Sequence, residues 1–94
     1  MPAAPGRAAA PRTVRVALFA TAREAVGRAS IERTVPREGM TIRSFLASLA
    51  QEHSALAAIL PSCRVARNGK YVSARTGRVR PGDELALHPP YSGG

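Results

Sequence analysis

Val14-Arg15-Val16-Ala17-Leu18-Phe19 is the stretch on which the fold of this chain turns. Successive side chains of a strand point to opposite faces, so Val14, Val16 and Leu18 share one face while Ala17 and Phe19 fall on the other. Both faces are at least partly apolar, which suits a strand inside a sheet better than one at its edge. Immediately after it, Thr21-Ala22-Arg23-Glu24-Ala25-Val26-Gly27 offers an N-cap, helix formers and a closing glycine, and predicts one or two helical turns. Residues 31–35 then predict a second strand, with Ile31, Arg33 and Val35 alternating against Glu32 and Thr34. The two strands are close enough in sequence to pair antiparallel.

Further along, Pro36 to Gly39 forms a turn, and Thr41 is a suitable N-cap for a helix over Ile42–Glu52. There Ile42, Phe45, Leu46 and Leu49 make one apolar stripe that marks a core-facing helix. Residues 55–60 are expected to continue helically until Pro61 stops them, leaving His53 exposed at the junction. Residues 63–67 predict a third strand, Asn68-Gly69 the favoured type I′ hairpin pair, and Tyr71-Val72 the returning strand. Residues 73–80 have a loop-like composition, and Arg80-Pro81-Gly82-Asp83 is a turn before the last strand.

That last strand carries the functional expectation. Leu85-Ala86-Leu87-His88 alternates, and Pro89-Pro90 ends it because proline supplies no backbone N–H to a sheet ladder. Beyond lie Tyr91-Ser92-Gly93-Gly94. Four residues reach roughly 13–14 Å at about 3.3–3.6 Å each, and the final two have no side chain. Such a tip can thread a narrow channel in another protein and offers an α-carboxylate as its reactive group.

A chain of 94 residues makes one small domain, which buries only about 60% of its unfolded surface and leaves little room for a deep enclosed active site. Residues 1–12, MPAAPGRAAAPR, contain no large aliphatic residue besides the initiator Met and are expected to be a disordered extension. Residues 13–90 are expected to form the folded domain and 91–94 a flexible tail. No run of 18 apolar residues and no secretory leader is visible, so a cytoplasmic protein without membrane contact is expected. Cys63 is the single cysteine, which excludes an internal disulfide and a cysteine metal cluster; it is expected to be a small buried hydrophobe. The net charge of +8 invites a nucleic-acid reading. Against it, the arginines are dispersed and the aromatic residues too few for base stacking, so no nucleic acid is expected and acidic partner surfaces are favoured. Lys70 beside the hairpin is expected to be a solvated charge.

The order strand, short helix, strand, helix, three strands matches an α+β, ubiquitin-like β-grasp, a mixed sheet of about five strands wrapped on one main helix. Leu18-Phe19-Ala20-Thr21-Ala22-Arg23-Glu24-Ala25-Val26-Gly27 and Pro81-Gly82-Asp83-Glu84-Leu85-Ala86-Leu87-His88-Pro89-Pro90-Tyr91-Ser92-Gly93-Gly94 resemble the two end motifs of the small subunit of molybdopterin synthase, with residues 65–72 fitting the hairpin between them. The resemblance covers about residues 13–94. It implies a central parallel pair of first and last strands. It also implies a C-terminal thiocarboxylate on Gly94, made after an ATP-dependent ubiquitin-activating-type adenylyltransferase has adenylated the carboxylate and a sulfurtransferase has supplied sulfur. ATP then belongs to the activating enzyme, and no metal or permanently bound cofactor belongs to this chain.

The resemblance further implies that Gly93, Ser92, Tyr91, Pro90 and Pro89 lie in a channel of the large subunit, where cyclic pyranopterin monophosphate receives the sulfur. Phe19, Arg23, Tyr71, Leu87 and His88 are the expected partner interface. His88 and Tyr91 depart from the family pattern, which commonly has an aromatic residue and a small aliphatic one there. Sibling carriers for thiamine, tRNA or cysteine biosynthesis share the Gly-Gly end, and so do ubiquitin-like protein modifiers joined to lysines.

Overall fold

The structure, a computed structural model, describes residues 12–90. Strand β1 (Thr13–Leu18) leads through Phe19 into helix α1 (Ala20–Val26), followed by β2 (Ser30–Thr34), the two-residue β3 (Met40–Thr41) and the main helix α2 (Ile42–Glu52). A short α3 (Ser54–Ala57) and a 3-10 turn (Leu60–Ser62) precede β4 (Arg64–Arg67), β5 (Lys70–Val72), β6 (Arg78–Val79) and β7 (Glu84–His88). Five strands form one mixed sheet in the order β2-β1-β7-β4-β5. β1 pairs antiparallel with β2, Val16 opposite Ile31, and parallel with β7, Leu18 beside Leu87. The chain therefore has the expected β-grasp, its first and last strands side by side at the centre.

Register follows from burial. Val14, Val16, Leu18, Ile31, Val65, Leu85 and Leu87 all lie on one face and are buried, and Ile42, Phe45, Leu46 and Leu49 of α2 cover them. Slipping any strand by one residue would turn its apolar set out to water. Phe45, Leu49 and Leu87 are nearly or fully inaccessible, and each such side chain contributes about 1.5–3 kcal/mol relative to exposure. Thr41 caps α2 as expected, its Oγ1 accepting from Ser44 N–H at 3.1 Å.

Several local expectations need correction. Phe19, expected to end β1, is instead the N-cap of α1 and makes no side-chain cap; Thr21 lies within the helix and does not cap it. Pro61 sits inside a 3-10 turn without ending a helix, because proline's missing N–H costs nothing in a first turn. His53 is half-buried between α2 and α3, not exposed. Residues 73–80 are not all loop: β6 pairs with β3, Met40 opposite Val79, and Val79 is fully buried. This small second sheet closes the end of the core near α2, where Ile42 N–H donates to Gly77 C=O at 2.9 Å.

The Asn68-Gly69 turn has φ of +51° and +88°, as a type I′ turn requires. Asn68 also ties two turns together. Its Nδ2 donates to Asp83 Oδ1 at 3.0 Å, and its Oδ1 accepts from Glu84 N–H at 2.8 Å. Asp83 Oδ2 in turn accepts from Arg80 N–H at 2.8 Å. One ion pair, Arg33 with Glu52, joins β2 to the end of α2 among the described residues. Both side chains are partly exposed, so the pair adds little stability.

Candidate functional site at the end of the last strand

On the face of the sheet turned away from α2, cross-strand pairing sets Ala17 beside Ala86, Ala86 beside Ala66, and Ala66 beside Tyr71. Methyl groups rise little above a sheet, so the rings beside this alanine row stand proud of it. A shallow cavity of about 340 Å³ lies there, lined among others by Ala17, Ala66, Tyr71, Ala86 and His88.

The next row is the end of β7 itself. His88 pairs with Arg64 across the strands, and Phe19 leaves the parallel neighbour β1 at the same level. The Phe19 and His88 rings stack with centroids 4.7 Å apart and planes 8° from parallel. Tyr71 meets His88 edge-on at 6.0 Å, and the Arg64 guanidinium carbon lies 3.9 Å over the Tyr71 ring. Stacking contributes about 0.5–1.5 kcal/mol for such ring pairs, and the cation over an exposed ring about 0.5–1 kcal/mol. Phe19 and Tyr71 nonetheless remain 45% and 57% exposed. Rigid aromatic groups held half in water are the kind of surface that supplies binding energy at low entropic cost.

The cluster stands where the folded domain hands over to the tail. β7 ends at His88, Pro89 is half-buried and Pro90 exposed. Phe19, Tyr71 and His88 are thus brought together, from three separate segments. Arg23 sits one turn into α1, its side chain exposed and its backbone N–H donating to Phe19 C=O at 3.3 Å. Leu87 is a correction: it is fully buried and faces α2, because residues 87 and 88 of a strand point to opposite sides of the sheet. Arg64, which the sequence reading did not single out, completes the cluster; its only signal was its place at the start of a strand antiparallel to β7. Tyr91, Ser92, Gly93 and Gly94 lie outside the described residues.

Placing a histidine in the stack does not strand a polar group. Among the described residues the one buried side-chain nitrogen lacking a partner is Arg33 Nε, so the His88 ring nitrogens avoid the penalty of burial without a hydrogen bond. Cys63, at the foot of β4, is half-buried and its thiol is pushed up by desolvation. That favours the neutral thiol and disfavours a nucleophilic thiolate. Among the described residues no three His, Cys, Asp or Glu side chains converge as metal ligands, and no helix is long and apolar enough to cross a membrane.

The chain matches the ThiS family over residues 16–94. It is 34% identical over 83 residues to the molybdopterin synthase sulfur carrier subunit of Chlamydomonas reinhardtii, an alignment covering 86% of this chain and 98% of that one. Among solved structures, small archaeal modifier protein 1 of Haloferax volcanii superposes with a TM-score of 0.73 at 28% identity, covering 84% of this chain and 98% of that one. A putative molybdopterin converting factor subunit 1 from Pyrococcus furiosus superposes with a TM-score of 0.73 at 25% identity over the same shares of the two chains. With this match running from β1 to Gly94, and the β-grasp carrying both end motifs, the chain belongs to the ThiS family.

Proposed function

We propose that this protein is the sulfur carrier small subunit of a molybdopterin synthase, bearing sulfur as a thiocarboxylate on Gly94 and delivering it to cyclic pyranopterin monophosphate. The observation that carries this reading is the Phe19–His88–Tyr71 cluster at the residue where β7 passes into Pro89-Pro90. A partner that grips the tail meets these rings in the same step. Support also comes from the molybdopterin synthase sulfur carrier subunit of Chlamydomonas reinhardtii, to which 86% of this chain aligns.

A carboxylate with an ordinary pKa of about 3.5 is ionised near neutral pH and is a poor electrophile. In this reading the Gly94 carboxylate attacks the α-phosphorus of ATP on a ubiquitin-activating-type adenylyltransferase, and pyrophosphate leaves. Sulfur from a sulfurtransferase then displaces AMP from the acyl carbon. The thiocarboxylate is a good nucleophile, and the large subunit holds the pterin against it. Gly93 and Gly94 let the backbone enter that subunit's channel, with Ser92, Tyr91, Pro90 and Pro89 following. The chain itself supplies positioning and the sulfur and is not catalytic alone.

A second reading, a modifier joined through Gly94 to lysines of other proteins, is favoured by the likeness to small archaeal modifier protein 1. Intact mass separates the two. Incubation with activating enzyme, ATP and a sulfur source is expected to raise the mass by the difference between sulfur and oxygen, and addition of the large subunit and pterin precursor to consume that species with formation of molybdopterin. Isopeptide conjugates without molybdopterin would establish the modifier reading instead. Deleting Gly94 is expected to abolish sulfur delivery while leaving the domain folded.

A further inference from the structure

On the α2 side of the sheet, a groove of about 640 Å³ runs between the main helix and the chain around β4. Leu46 and Ala50 of α2, Leu60 of the 3-10 turn and Val65 of β4 line it, together with Arg43 and Arg75. Positions 43, 46 and 50 recur at helical spacing, so α2 presents them along one edge. The groove stays open because its helix wall is built partly of alanine.

Charge around it is one-sided. Two arginines, Arg43 and Arg75, line it and no Asp or Glu does. Among the described residues the one ion pair is Arg33 with Glu52, so neither Arg43 nor Arg75 is neutralised by a carboxylate there.

We propose that this groove is a docking site for an acidic, apolar segment of a partner protein, which sets its aliphatic side chains against Ala47, Ala50 and Leu60 and its carboxylates on Arg43 and Arg75. An open trough does not surround a small molecule as ligand pockets do, whereas a peptide segment fills it lengthwise. The site is separate from the aromatic face. Val65 turns into the groove, while its neighbours Arg64 and Ala66 turn to the other side of the sheet. A groove partner therefore binds together with whatever holds the tail, and the inference stands without the sulfur-carrier reading.

The test is an NMR titration of the full chain with a blocked amphipathic peptide of leucine and glutamate, beside the same peptide with lysine for glutamate. The acidic peptide is expected to shift the amides of Arg43, Ala50, Val65 and Arg75 saturably and to slow alkylation of Cys63, which lines the same groove. The lysine peptide is expected to do neither. Reversing both charges, Arg43→Glu with Arg75→Glu, is expected to weaken binding about tenfold. Should that double variant lose its fold, Arg75→Gln alone, in a loop, is expected to weaken it about two- to threefold. Equal binding of the lysine peptide, shifts centred on Phe19 and His88, or affinity unmoved by these substitutions would overturn the proposal.

Discussion

Phe19 lies flat against His88, the rings 4.7 Å apart and within 8° of parallel, although 69 positions separate them in the chain. β1 and β7 run parallel with Leu18 beside Leu87, so Phe19 and His88, each the next residue along, land at the same height. The stack therefore needs the central parallel pair to exist at all. It stands at the last residue of β7, next to Pro89.

Phe19→Ala and His88→Ala should weaken binding to the synthase large subunit by about 1–2 kcal/mol each, the range for aromatic anchors at an interface. The loss is expected to be less than additive in the double variant, because the two rings form one contact. Calorimetric titration measures the affinities, and urea denaturation should show little change in stability for the half-exposed Phe19. Unchanged affinity for both would remove the cluster from the interface.

Leu87→Ala should behave in the opposite way. The side chain is fully buried, and a cavity there is expected to cost about 2–5 kcal/mol of stability. Once the protein is kept folded, tail chemistry should persist. Denaturation midpoints and thiocarboxylate formation, measured on one preparation, check both halves.

Two glycines with similar backbones are expected to differ in their tolerance of alanine. Gly39 has φ +84° and Gly27 +83°, but a Cβ on Gly39 runs into the backbone oxygen of Val79, whereas nothing lies within 4 Å at Gly27. Gly27→Ala should cost about 1–2 kcal/mol for the left-handed backbone alone. Gly39→Ala should cost clearly more, since β3 and β6 must separate to admit the methyl group. Equal losses in urea would refute the steric part.

Asn68→Ala removes side-chain bonds to Asp83 and to the Glu84 N–H and leaves a positive φ without a residue that tolerates it. A loss of about 1–3 kcal/mol is expected. Asn68→Gly should recover part of it, because glycine restores the backbone and not the hydrogen bonds. Thermal melts of both variants provide the comparison.

Cys63 predicts a pH effect of definite sign. Desolvation raises its thiol above the unfolded value, so the folded state holds the proton longer. Its contribution to stability is complete below the unfolded thiol's range and declines as pH climbs from there through the higher folded value. Cys63→Ser should flatten that alkaline decline. Alkylation of the native thiol should likewise be slower near neutral pH than that of the unfolded chain, and faster native alkylation would contradict the assignment.

Much of this architecture was legible in the residues themselves. Alternation set the inward face of β1 and β7, the 42-45-46-49 spacing set the buried stripe of α2, and Asn68-Gly69 set the hairpin, because each pattern reflects a backbone geometry fixed over a few neighbours. The end motifs around Phe19 and Gly94 pointed to the family through the identity of their residues.

What the tertiary structure alone decided lies between segments far apart in sequence. β3 and β6 have two residues each, too few to show a period, and form because each satisfies the other's backbone while Val79 closes the core. Arg64 joins Phe19, Tyr71 and His88 through strand order and register, and Arg43 and Arg75 come to line one groove through the packing of α2 on the sheet. Local sequence establishes which way a side chain points; only packing around the shared core establishes which distant side chain it meets.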